Sequence, residues 1–482
     1  MSNSTDKETL FSQVDYPVKI LQFGEGNFLR AFVGDVIHQL NQKINYKGGI
    51  AVIQPIDSGL IDLLDKQGGA YTLFLNGIVN GKQIQKKKLI QNIVKTVSPY
   101  AGYSAYLELA KIPELEFIFS NTTEAGIEYD PSDQLNDSPQ RTFPAKLTRL
   151  LWERFNHFKG EESSGLYILP CELINYNATS LKKIVLQYAQ LWELDAEFSN
   201  WIENANTFCN TLVDRIVPGY PKDNIEFYKD QLDYEDALLV TAEPFFLWVI
   251  EGDEKLKAKL KVNEIDLDIK VVENLQSYRT QKVRILNGTH TALVPLSILF
   301  GHETVSDIFT SSFTKSFLEE SVRNEIVPTL EMDKHSLNQF TEAVFDRFKN
   351  PFIKHYLGSI ALNSISKFKV RVLPSLLMSQ QSKGSLPPHL AFSFACLLQF
   401  YKGIWRGKKL PVQDDEKLVN EFKYNWDNYP LDEFVNKTLS NKEFWDQDLT
   451  QVPELALHLH TILKYFKKNN IENSFNLYIQ NL

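Results

Sequence analysis

The sequence predicts an α/β fold with a parallel sheet in its first half and a mostly α-helical domain in its second. Three observations predict it. From residue 18 to about 275, short apolar runs bounded by glycine or proline alternate with helically spaced apolar positions. Residues 70–98 alternate apolar and polar around Asn80-Gly81, which marks a hairpin inserted into that pattern. After Leu275 the texture changes and long helical patterns dominate. The expected domains are therefore residues 1–274 and 275–482.

The elements follow in order. VKILQF, residues 18–23, is apolar and stops at Gly24, as a buried strand does. Residues 27–42 place Phe28, Phe32, Val36 and Leu40 on one helical face. Residues 49–54 form a second buried strand, ended by Pro55. Two more read at 115–120 and 165–170, with further β-type runs at 237–242 and 269–273. In the second half, helices are expected over 281–300, 303–329, 336–348, 352–366, 388–402, 413–424 and 454–468. The Lys86-Lys87-Lys88 run reads as a solvated hairpin face.

Composition narrows the function. Acidic residues number 60 against 51 Lys and Arg, for a net charge of -9. That field disfavours nucleic-acid and anionic-membrane partners, which need cationic surfaces. The 32 Phe, 20 Tyr and 7 Trp are enough to fill sizeable cores. Three widely spaced cysteines suit a reducing cytoplasm and have no metal-site spacing, so no metal is expected. The polar first 19 residues lack a signal-peptide core, and no apolar run reaches bilayer length. The expected protein is cytoplasmic, a monomer or small homo-oligomer, with a small-molecule partner.

The turn after the first strand reads F-G-E-G-N-F-L-R-A, residues 23–31. Gly24 suits the tight strand-to-helix turn, and Gly26 lets backbone approach a pyrophosphate. Leu29 stands where a third glycine is usual. The position, after the first strand and before a helix, is what a Rossmann-like dinucleotide-binding domain requires. Asp57 is the acid nearest the end of the second strand and is the candidate ribose contact. No Arg or Lys occurs between residues 51 and 64 to hold a 2′-phosphate, which favours NAD over NADP.

The sharpest feature is Lys282-Val-Arg-Ile-Leu-Asn287-Gly-Thr-His290. On a helix, Asn287 and His290 share a face, and Lys282 converges from the preceding turn. A lysine base, an amide to polarise a carbonyl and an imidazole for neighbouring oxygens suffice for metal-free alcohol oxidation. Lysine ionises near about 10.4 in water, so a base lysine needs burial or a nearby cation. Arg284 and His290 are candidate cations.

These residues resemble the polyol-specific long-chain dehydrogenase/reductases, the mannitol dehydrogenase family. The resemblance spans essentially the whole chain. It runs through Gly24, Gly26, Phe28, Arg30 and Ala31, then Asn121-Thr122-Thr123-Glu124-Ala125-Gly126. It continues through Asp214-Arg215-Ile216, Lys282…Asn287…His290 and Arg347-Phe348-Lys349-Asn350-Pro351. Within the family the chain is most similar to members that reduce keto sugar acids. The resemblance implies NAD(H) as cofactor, with contacts from Phe23, Gly24, Gly26, Asn27, Phe28, Asp57, Thr123 and Glu124. It implies Lys282 as general acid/base, with Asn287 and His290 on the reacting oxygen and its neighbour. A family pattern D-N-x-x-x-N-G corresponds to residues 172–178, where Leu173 and Ala178 depart from it. Asn177 matches its second asparagine and is the expected oxyanion contact. Asp214, Arg347, His355, Lys367 and Arg371 are the candidate substrate contacts, with Arg347, Lys367 and Arg371 as the candidate cations for a carboxylate. The alternatives are another keto-uronate, an uncharged polyol, or a nucleotide-binding sensor without turnover.

Overall fold

The computed structural model describes residues 14–123 and 125–482, in two compact units. The first is built from residues up to Asn76 and from Gln83–Leu275; the second comprises Gly77–Lys82 and Gln276–Leu482. The tip of the inserted hairpin thus belongs to the helical unit, where the Gly81 N–H donates to Asp346 Oδ2 at 3.0 Å.

The first unit is organised by six parallel strands. They are β1 (Val18–Phe23), β2 (Gly49–Ile53), β5 (Ile93–Val97), β6 (Phe117–Ser120), β7 (Tyr167–Pro170) and β8 (Thr207–Phe208). In between come the hairpin strands β3 (Tyr71–Val79) and β4 (Lys82–Ile90). The sheet order is β5-β2-β1-β6-β7-β8, all neighbours parallel. By order of appearance this is third, second, first, fourth, fifth, sixth, the doubly wound arrangement whose chain reverses direction beside β1. β2 and residues 20–23 of β1 are buried on both faces because the sheet is covered on both sides.

Three further strands, β9 (Thr211–Asp214), β11 (Leu247–Glu251) and β12 (Asp268–Val272), form a small mixed sheet; β10 (Val240–Ala242) pairs with β3. The hairpin turn uses Asn80 and Gly81 at φ 52° and 71°, left-handed backbone that these two residues tolerate.

The helix expected over 27–42 is broken. Helix α1 (Asn27–Ala31) stops at Phe32, and α2 (Val33–Ile44) starts anew; α3 (Phe143–His157) and α4 (Asn177–Leu191) follow later in the unit. Phe32 stacks between Phe28 (4.9 Å) and Phe246 (4.2 Å), and these ring contacts anchor the kink in the core. On α2, the fully buried Asp35 accepts from Arg215 at 2.9 Å and from Lys88 at 2.5 Å. Burial alone would raise its carboxyl, but the two cations outweigh that and hold it below the usual range. Lys88 therefore departs from the solvated reading of the lysine run: a buried carboxylate with two oxygens recruits it.

The second unit centres on one continuous helix. It comprises α5 (Gln276–Gln281), a π-helical stretch Lys282–Asn287, and α6 (Gly288–Phe300). By length and apolarity residues Gln276–Phe300 could cross a bilayer, but most of the stretch is buried inside the unit, as a core helix is. Around it pack α7 (Lys334–Phe348), α8 (Ser364–Arg371), α9 (Leu373–Lys383) and α10 (Pro388–Tyr401). Ser393 on α10 donates to the Ala292 carbonyl at 2.6 Å, one polar tie in an otherwise apolar contact.

Candidate functional site

The glycine turn lies where β1, β2 and β6 end. Gly24 has φ +117°, backbone that an L side chain adopts only under strain, and a Cβ there would press within 3.3 Å of the Asn121 carbonyl. Its N–H is used by the Ile53 carbonyl at 2.9 Å. Gly26 is different: a Cβ there would meet nothing within 4 Å, so its backbone faces open space. That space is a cavity of about 400 Å³ lined by Gly24, Glu25, Gly26, Ile56, Thr123 and their neighbours. A crevice at strand ends, beside the point where the chain reverses, with exposed glycine backbone, fits a dinucleotide. Arg141 lines it too, but its guanidinium pairs with Asp130.

Sequence reasoning missed the brace beneath this wall. Glu172 is buried, and its carboxylate accepts from Ser120 Oγ, the Thr122 N–H and Thr122 Oγ1, all at 3.0 Å. Burial pushes that carboxyl above its ordinary value, against the pull of those donors. The only sequence signal was a carboxylate placed just after a buried strand.

Asn177 is a correction. It is fully buried at the start of α4 (Asn177–Leu191) in the Rossmann unit.

 The Asn177 Nδ2 donates to the carbonyls of Pro170 (2.9 Å), Glu172 (3.1 Å) and Thr211 (3.3 Å). Its Oδ1 accepts from the N–H groups of Ala178 (2.9 Å) and Thr211 (3.0 Å). An amide saturated in this way and shielded from solvent ties β7, β9 and α4 together, and it has no donor left for an oxyanion.

In the helical unit the π stretch changes the geometry of Lys282 and Asn287. In an α-helix, residues five apart point roughly 140° away from each other. A π turn closes i to i+5 and stacks them, so Lys282 and Asn287 come to one face. Both are half-buried, as is His290 three residues on. The Asn287 side-chain amide makes no hydrogen bond among the described residues, the opposite of Asn177. The His290 ring stacks on Phe348 at 4.2 Å and meets His355 edge-on at 5.3 Å. Burial lowers the His355 imidazole, and the nearby Arg347 charge lowers it further. His290, Arg347 and His355, far apart in sequence, thus form one cluster.

Gly288 permits the last close approach. A Cβ there would come within 2.9 Å of the Arg371 carbonyl, so only glycine lets the end of α8 sit against the helix one residue past Asn287. Arg371 is half-buried and forms no ion pair among the described residues. Burial lowers its guanidinium, and burial and Arg371 together lower Lys367, whose Nζ donates to the Ile360 carbonyl at 3.0 Å. Arg284 turns away, donating to Ser375 Oγ at 2.7 Å.

Residues 18–285 match the mannitol dehydrogenase Rossmann domain, and residues 274–467 match the mannitol dehydrogenase C-terminal domain. The chain belongs to the mannitol dehydrogenase family. Among relatives in this family, an altronate oxidoreductase of Yersinia enterocolitica is 45% identical over 447 residues, 92% of each chain. One from Escherichia coli is 44% identical over 452 residues, 92% of this chain and 94% of that one. The fold is shared with a D-sorbitol dehydrogenase crystal structure (TM-score 0.77, 20% identity, 95% of each chain). It is shared also with Pseudomonas fluorescens mannitol 2-dehydrogenase, solved with NAD and D-mannitol (TM-score 0.66, 19% identity, 97% of this chain and 95% of that one).

Several expected cofactor contacts of this family member sit elsewhere. Phe23 is a core residue, packed on Phe143 at 5.0 Å, because it ends a strand covered on both faces. Asn27 accepts from the Arg30 guanidinium at 2.8 Å, and Phe28 stacks on Phe32. Asp57 is exposed and does not line the cavity, since the loop after β2 turns it outward. Gly24, Gly26 and Thr123 do line it. Glu124 lies outside the described residues. Asp214 is buried at the end of β9, and Arg215 beside it is held by Asp35.

Proposed function

We propose that this chain reduces the ketone of tagaturonate to the alcohol of altronate, reversibly, with NADH. The substrate class follows the altronate oxidoreductases that are 44–45% identical over 92% of the chain. The chemistry rests on one observation, the π turn that puts Lys282 and Asn287 on one face beside His290.

When bound, the nicotinamide supplies the hydride. The Lys282 ammonium donates its proton to the carbonyl oxygen as negative charge builds there; in the reverse direction neutral Lys282 takes the hydroxyl proton. The Asn287 amide N–H donates to the same oxygen, a contact whose loss typically costs about 10²–10³ in rate. His290, held by Phe348 and His355, binds the neighbouring oxygen. Arg371 offers a fork to the substrate carboxylate, with Lys367 and Arg347 adding positive field. The glycine turn holds the dinucleotide, and Glu172 fixes the loop beside it.

Initial rates with tagaturonate, fructuronate and fructose, each with NADH and NADPH, test the reading. Tagaturonate with NADH is expected to be fastest. Fructose as the best substrate would overturn the keto-uronate assignment.

A further inference from the structure

The helical unit holds a second π-helical stretch, Ser321–Ile326, which continues the helix Ser312–Glu320. Such turns are rare and gather at functional sites. This one carries Glu325, a buried carboxylate. Glu325 Oε1 accepts from the His389 N–H at 2.9 Å and Oε2 from the Leu390 N–H at 2.8 Å, which caps the start of α10. Oε1 also meets His389 Nδ1 at 2.7 Å. With both oxygens already accepting, Nδ1 carries the proton of that bond. In the neutral ring Nε2 is then a bare acceptor, and it has no partner among the described residues.

His389 lines a cavity of about 330 Å³, within the range of small-molecule pockets. Three phenylalanines share its wall. Phe317 and Phe475 each lie 5.0 Å from the His389 ring and 5.1 Å from each other, and Phe313 lies 5.7 Å from Phe475. Glu320 and Glu472 line the same space. Glu320 accepts from Asn324, and neither carboxylate pairs with a cation among the described residues. Capping a helix accounts for Glu325. It does not account for a fixed imidazole, an aromatic wall and two uncompensated carboxylates around one cavity. None of Lys282, Asn287 and His290 lines it.

Aromatic faces and carboxylates both attract positive charge, and a bare Nε2 accepts one N–H. We propose that this cavity binds a primary ammonium ion carried on a compact apolar body. The ammonium donates one N–H to His389 Nε2, Glu320 and Glu472 supply the countercharge, and the apolar body lies against the phenylalanines.

Saturation-transfer NMR titration of the full chain with 2-phenylethylammonium, 2-phenylethanol and 3-phenylpropanoate, at about 0.15 M salt, tests this. The ammonium is expected to bind with a Kd of about 1 mM or below. The alcohol should bind about fivefold or more weakly, and the carboxylate not at all. Glu472→Gln, at a half-buried position without a cation partner, should weaken the ammonium by about twofold to fivefold and leave the alcohol unchanged. Ser316→Trp, at an exposed position on the cavity wall, should abolish binding of both. Equal affinity for ammonium and alcohol overturns the proposal, as does an ammonium affinity unchanged in Glu472→Gln. Ammonium binding that survives Ser316→Trp places the ligand elsewhere and overturns it too, and so does no binding at about 10 mM.

Discussion

Replacing Asn177 with alanine separates a structural amide from a catalytic one. The substitution strips the acceptor from two N–H groups, those of Ala178 and Thr211, and the donor from three carbonyls. A buried N–H left without a partner costs about 1–3 kcal/mol, so the two together cost about 2–6 kcal/mol. The carbonyls add less, since each retains a second lone pair. The expected loss is about 4 kcal/mol, a large share of the roughly 5–15 kcal/mol that holds a typical protein folded. Urea unfolding followed by circular dichroism should show the midpoint fall, with turnover per folded molecule close to the parent. An unchanged midpoint with kcat down by about 10²–10³ would refute the argument and return Asn177 to the oxyanion.

Lys282→Ala should lose about 10²–10⁴ in turnover while NADH titration stays at the parent value; parental turnover would remove the lysine from the mechanism. Arg371→Ala should raise KM for tagaturonate by about tenfold to a hundredfold and leave that for fructose unchanged; equal effects on both would remove the carboxylate contact. Asp35→Asn leaves Arg215 and Lys88 without their anion and should cost about 3–5 kcal/mol in thermal unfolding. Because the folded carboxyl is held below its unfolded value, its stabilisation is fully present above about pH 4 and fades as the pH falls through the folded value. The variant should lack that acid-side loss, and an identical acid profile in both proteins would discount the pairing.

Much of this protein was legible in its residues. Short, mostly apolar runs such as VKILQF and GIAVI, bounded by glycine or proline, read as buried strands, and their alternation with helical spacing points to a parallel sheet. Asn80-Gly81 specified its turn because few residues tolerate that backbone. The Lys282, Asn287 and His290 spacing marked three polar side chains within nine residues of a mostly apolar helix. What depended on distant chain segments was not legible. An asparagine carries the same amide whether it faces substrate or core, and only the crossing of β7, β9 and α4 saturates Asn177 while Asn287 stays open. Asp35 and Arg215 lie 180 residues apart, and nothing local pairs them. The π turn that aligns Lys282 with Asn287 arises inside an apolar helix whose sequence fits ordinary α spacing as well. Glu25 is a single letter in a glycine turn until the loop after β2 folds over it and the Leu60 N–H meets its carboxylate. Local conformation is set by near neighbours and was read from sequence, whereas the partner of each buried polar group is set by which elements meet, and tertiary structure alone decides that.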